Sequence, residues 1–435
     1  MRRALSFCLL ACLPVAAQQA PIPVAADLPG TPFSIRKTWF IGGTGSWDYL
    51  TMDAAARRLY IAHGQEVQVV DVDSGSVVAR IPGFSEAHSI ALDDTGDYGY
   101  VSDGPAADIK VFDRRTFQIQ STIPVYCSPR SIAFEPRSKL VFAICGANAA
   151  VSPPQASSAR RPSSGGERGT RPNQAALQAN VSGTSHIVAI DAGKNTVVAD
   201  IDIAGDFRFA QPDGDGQVYV TVGPVTQTKL VNHQPVYNSF PPRIASLDAS
   251  AIAAAAQLFH EKQSPETSSS QPLQIDWSRE SYPASLIRFL RLSAACQNPQ
   301  GLAIDGKDQR LFVACRDQQF VVINATTGAL VASLVTGPGD DVIGYDPDRN
   351  MIYVANGSGY GSLTIIRQDA TTDSYAVIQN LPTKERARTL AVDPSSGDVY
   401  LVTDFRGVDL TKPGGIGTLK TIPIQGSFQI LVVGR

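Results

Sequence analysis

Seven polar residues recur at one register of this sequence. Counted back twelve positions from a regularly spaced aromatic, they are Asp48, His88, Arg130, Gln300, Asp341 and Arg388; Arg208 holds the corresponding place in a unit whose turn is one residue shorter. A carboxylate beside an imidazole can move a proton or ligate a metal. Guanidinium groups pair bidentately with carboxylate or phosphate, so three arginines against two aspartates favour a small anionic ligand. His63 and His88 with Asp48 form a second candidate set, for a metal or for acid–base work, although such histidines more often satisfy loop carbonyls. The sequence contains no G-x-S-x-G, H-E-x-x-H, P-loop or EF-hand pattern, and no C-x-x-C-H for covalent haem. It names no cofactor.

The elements that must position these residues are repeated. A short apolar strand ending near an acid, a polar turn and a strand carrying an aromatic recur as "YLTMDAAARRLYIAHG", "SIALDDTGDYGYVSDG", "SIAFEPRSKLVFAICG", "FAQPDGDGQVYVTVG", "GLAIDGKDQRLFVAC", "VIGYDPDRNMIYVANG" and "TLAVDPSSGDVYLVTD". The aromatics are Tyr60, Tyr100, Phe142, Tyr219, Phe312, Tyr353 and Tyr400, spaced 40 to 47 residues apart where nothing intervenes. A third strand usually follows, and a fourth is visible in several units. Four short strands per unit of about forty residues, in seven units, specify an all-β, seven-bladed β-propeller with four-stranded blades. The last unit stops after its third strand, while "FSIRKTWFIGG" (33–43) has the pattern of a fourth. Pairing the N-terminal strand with the last blade closes the ring and removes two exposed edges. The propeller then spans 33–435 as one domain. In it the seven polar residues form a ring around the mouth of the central channel, on the top face. A channel mouth is wet in any propeller, so the polarity alone does not make it a site.

"LYIAHG", "VYVTVG" and "IYVANG", each preceded by an apolar-acid strand end and a polar turn, resemble the YVTN-repeat propellers, the YncE-like family. The resemblance covers roughly residues 33–435 and implies the propeller fold, with ligand or active sites on the top face. It leaves function broad, since the family includes binding proteins, surface proteins and relatives of dehydrogenase subunits.

Within a blade the innermost and second strands are antiparallel, so the start of one lies beside the end of the other. Cys127 and Cys145 hold those places in blade 3, and Cys296 and Cys315 in blade 5. The expected disulfides are Cys127–Cys145 and Cys296–Cys315. A metal shared by all four is disfavoured, because blades 3 and 5 are not neighbours.

Insertions interrupt the repeat at about 147–184, 224–241, 251–283 and 404–426. The first, second and fourth join second to third strands and so open on the top face. The first is low-complexity and basic, with Arg160, Arg161, Arg168 and Arg171 among Ser, Gly and Pro. It lacks the interleaved aromatics of a nucleic-acid arm and reads as a flexible loop. The second carries His233, Tyr237 and Phe240 and is a candidate cover for the mouth. The segment 251–283 opens with a helix-prone Ala run and lies on the opposite face, before a fourth strand at "SLIRFLRLS".

Of 435 residues, 43% are hydrophobic and 18% charged, and the formal charge is −3, or −5 (−3 minus 2) without Arg2 and Arg3. This excludes a generally basic polyanion binder, so nucleic acid is not an expected partner. "MRRALSFCLLACLPVAAQQA" has two arginines, an apolar run and small residues suited to cleavage after Ala17, the pattern of a secretory signal over 1–17. "LLAC" also fits a lipoprotein signal, with Cys12 as the acylated residue. The expectation is an exported protein, periplasmic or secreted, with an outer-surface lipoprotein as the alternative. It is expected to be a monomer that binds or scaffolds, taking a small anionic ligand or a protein partner on the top face. The alternative is a propeller enzyme, either a lactonase-like metal-dependent hydrolase or a subunit of a quinone-dependent dehydrogenase. A surface adhesion module is a third reading. A lactonase-like centre needs several carboxylates at the mouth, and Asp48 and Asp341 share it with three arginines.

Overall fold

Each apolar strand end that stops at an acid does so for a local reason. The carboxylates of Asp53, Asp93, Glu135, Asp213, Asp305, Asp346 and Asp393 accept backbone N–H groups of the turn that follows, for example Ala56, Gly96, Ser138, Asp215, Asp308, Arg349 and Ser395. These acid-capped turns reverse the chain from the innermost strand of a blade into the second. The computed structural model describes residues 32–43, 45–125, 127–150, 184–231, 234–262, 272–276, 285–408 and 421–435. The signal-like segment with Cys12, the arginine-rich stretch and His233 lie outside the described residues.

The strands assemble into seven four-stranded antiparallel blades. Blade 1 runs outward through Trp47–Asp53, Arg58–His63, Glu66–Asp71 and Val77–Pro82, and blade 2 from Ala87–Leu92 to Ile119–Pro124. The innermost strands of blades 3 to 7 are Cys127–Glu135, Asp206–Pro212, Pro299–Asp305, Asp340–Asp346 and Leu390–Asp393. Seven apolar clusters hold the blades together, each shared by two neighbours. The seven repeat aromatics are all buried in or beside them. Packing blade on blade this way buries the second and third strands on both faces, which explains the continuous hydrophobic runs in the sequence.

The ring closes as the sequence predicts. Ser34–Phe40 pairs antiparallel with Gln429–Gly434 as the outermost strand of blade 7. Gln379 of blade 6 clamps the start of this strand through both backbone groups of Phe33, at 2.9 and 2.8 Å. Arg57 of blade 1 pairs with the buried Asp393 of blade 7, and Arg114 of blade 2 with Asp53 of blade 1. Both predicted disulfides are present, with Cα–Cα distances of 6.0 Å for Cys127–Cys145 and 5.4 Å for Cys296–Cys315.

The insertions take definite forms where they are described. Residues Val225–Val231 and Gln234–Phe240 make a hairpin on the top face, and Arg406–Val408 pairs with Thr421–Pro423 in another. On the opposite face the Ala run is a helix, Ala249–Glu261, capped by Asp248, whose carboxylate accepts from the Ala251 N–H at 2.8 Å. Downstream, Leu273–Asp276 adds to blade 3 as a fifth strand, parallel to Thr196–Ala204. The sequence reading did not foresee that strand.

Candidate functional site

Six of the seven ring positions share a backbone device. In blades 1 to 6 the innermost strand slips by one residue against its partner at the ring position: between Trp47 and Leu50, Ala87 and Ile90, Pro129 and Ser131, Phe207 and Ala210, Pro299 and Leu302, and Asp340 and Ile343. Each slip is a β-bulge, which re-aims the side chain it carries. In blade 7 Arg388 stands just ahead of its short innermost strand. Gly301, beside Gln300, is needed for packing here. A Cβ at that position would lie 2.4 Å from the Asp341 carbonyl oxygen of the next blade.

Six of the ring residues come together in neighbouring pairs. His88 Nδ1 lies 2.9 Å from Asp48 Oδ2. Arg208 donates to the Gln300 amide oxygen at 3.2 Å and also pairs with Asp206 at 2.5 Å. Arg388 Nε stands 3.7 Å from Asp341 Oδ2. Arg130 is exposed and forms no ion pair among the described residues. The expected excess of free arginine is therefore mostly consumed inside the ring, and Arg130 is the ring guanidinium left open. His63 does not join His88 and Asp48. It is buried against Phe428 at a ring distance of 4.0 Å, and burial pushes its imidazole down to about 4.

Below the ring two aromatic side chains that the twelve-residue spacing does not single out meet across the channel. Tyr49 of blade 1 and Phe209 of blade 4 approach to 5.2 Å between centroids. This contact sets an aromatic floor beneath the mouth. A cavity of about 710 Å³ continues beneath, bounded by Tyr49 and Phe209 and lined by Gln211, Lys307 and Tyr345 among others. Burial pushes the Asp341 carboxyl up to about 6, against the pull of Arg388, Arg316 and Arg208, while Asp48 pushes with burial. Burial also holds the Tyr49 phenol well above its ordinary range, reinforced by Asp48 and Asp341. The mouth thus joins a carboxyl whose pKa burial raises, an Asp–His pair and several guanidinium groups over an aromatic base. Among the described residues no three His, Cys, Asp or Glu side chains gather into a metal-ligating cluster. This donor set does not fit the divalent ion of a lactonase-like centre.

Solved structures share the architecture. The WD40 repeats of RRP9 are 9% identical over 95% of this chain and 99% of that one, with a TM-score of 0.57. U3-55K is 10% identical over 90% and 97%, with a TM-score of 0.55. The shared feature is the propeller. At such identities the likeness is one of fold. No protein-family model and no curated protein matches the chain.

Proposed function

We propose that this chain is an exported binding or scaffold propeller of the YVTN-repeat type, which engages a ligand or protein partner on its top face around the channel mouth. The observation that carries this reading is the run of six bulges at the ring register. A channel that only needed wetting would not require the same backbone irregularity in blade after blade, whereas a site that must aim side chains inward would. The aromatic floor adds a surface on which a ligand can rest, and two hairpins stand on the same face. Two disulfides suit a protein that matures in an oxidising compartment. The paired arginines and aspartates favour polar recognition over metal-dependent hydrolysis.

Native mass spectrometry of the protein purified from its own compartment tests this reading. A retained mass in the wild type that is lost in an Arg130→Ala/Arg208→Ala variant supports it. A retained mass that survives both substitutions moves the ligand away from the mouth.

A further inference from the structure

A second cluster of cations lies on the top face at blade 7, outside the twelve-residue register. Arg386 comes from the connection between blades 6 and 7, and Arg406 from the hairpin after the second strand of blade 7. Between them stands Asp404, with Oδ1 3.6 Å from Arg386 Nε and Oδ2 3.4 Å from Arg406 Nε. These contacts lack hydrogen-bond geometry: both Asp404 oxygens and both Nε atoms are buried without a hydrogen-bond partner. Lys384 adds a third cation, held on Gln429 at 2.7 Å and over the Phe405 ring. Arg388 borders the group but is turned to Asp341.

Arg386 is presented in an unusual way. Its φ is +68°, in the left-handed region that costs a non-glycine residue about 1 kcal/mol. It is the one such residue in a blade-to-blade connection among the described residues; the others stand in turns within blades. Its N–H is fixed on the Gly357 carbonyl at 2.8 Å, and its guanidinium lies over the Trp47 ring, 4.8 Å from the centroid. The Trp47 indole N–H is itself buried and unpartnered. Stacking of this kind holds the guanidinium flat and leaves its N–H edge for a partner. Burial, then repulsion from Arg406, disfavours the Arg386 cation, with Arg388 adding to it, while Asp404 pulls the other way. An incoming anion would relieve all three costs at once. Burial holds the Asp404 carboxyl itself above the usual carboxylate range, against the pull of Arg406 and Arg386.

We propose that Arg386 and Arg406, above Trp47, form a binding site for an oxyanion group, carboxylate or phosphate, separate from the channel mouth. Apart from Arg388, which borders it, the site uses none of the ring residues. A purely structural Arg–Asp–Arg bridge, pinning the 406–423 hairpin to its blade, is the competing account.

The test is calorimetric titration of the full chain with sodium succinate and with inorganic phosphate, at ionic strength fixed with chloride. Saturable binding of at least one of them is expected. Arg386→Gln and Arg406→Gln should each weaken it about tenfold or more, as loss of a charge-assisted pair implies. Arg386→Lys, which keeps the charge but loses the flat fork, should fall between, and it serves where the Gln variant does not fold. Arg115→Gln, at an exposed guanidinium in a turn of blade 2, should bind as the wild type does, and Arg208→Gln should weaken binding less than Arg386→Gln does. Preference for one anion identifies a carboxylate- or a phosphate-bearing ligand. Binding of neither, or equal binding by wild type and Arg386→Gln, overturns the proposal. A loss in Arg208→Gln as large as in Arg386→Gln overturns the separate site and assigns the anion to the channel mouth.

Discussion

Tyr49 of blade 1 and Phe209 of blade 4 meet across the central channel with their ring planes 52° apart. Blades that do not touch through their sheets are thus joined by an aromatic contact that crosses the channel below the polar ring. Phe209→Ala and Tyr49→Ala should each cost about 1–2 kcal/mol in urea unfolding, and the double variant less than the sum. Strictly additive costs would contradict a direct contact.

Asp340 gives a pH signature with a definite sign. It is fully buried, its Oδ2 accepts from the Thr336 hydroxyl, and burial pushes its carboxyl from 3.8 to about 8. The folded chain therefore holds a proton that the unfolded chain releases, so stability is lost as pH rises from about 4 toward 8 and is unaffected below that window. Asp341, pushed up to about 6, acts in the same direction over a narrower range. Asp340→Asn should gain on the wild type steadily between pH 4 and 8 in denaturant titrations. Parallel pH curves for the two proteins would contradict the assignment.

The two disulfides close loops of 18 and 19 residues. Chain entropy assigns about 3 kcal/mol to each. Cys127→Ser/Cys145→Ser and Cys296→Ser/Cys315→Ser should each lower the unfolding free energy by about that much, with separate effects that add, since blades 3 and 5 are not neighbours. Equal stability of the oxidised and reduced protein would contradict this.

Ring closure makes a prediction about association. Deleting residues 1–40 removes the outermost strand of blade 7 and bares the Gln429–Gly434 edge. Light scattering after size exclusion should then show oligomers or aggregates that the full chain does not form. A truncated chain with an unchanged mass distribution would mean that the edge is covered in another way.

Much of the fold was legible because it is periodic. The acid-capped turn and the buried aromatic recur seven times, so chance likeness in one unit is overruled by the rest. The helix at Ala249–Glu261 was legible from its Ala run, with Asp248 as its cap. The fifth strand at Leu273–Asp276 was not. It is four residues long and draws its partner from another blade, a parallel pairing that no local pattern encodes. At the mouth, spacing named seven candidate residues but not how they pair, because His88–Asp48 and Arg208–Asp206 depend on bulges that shift register without changing composition. Arg386 and Arg406 escaped notice for a simpler reason. They belong to connections of irregular length, outside the repeated register, and meet only through the fold.

The most direct test of the central claim is site-specific photo-crosslinking in the protein's native cells. A photoreactive side chain replaces Arg130 at the mouth in one variant and the turn residue Asp308, on the opposite face, in another. Adducts from position 130 and none from 308 are the expected result. Adducts from 308 alone, equal yields from both, or none from either would contradict a binding site on the top face.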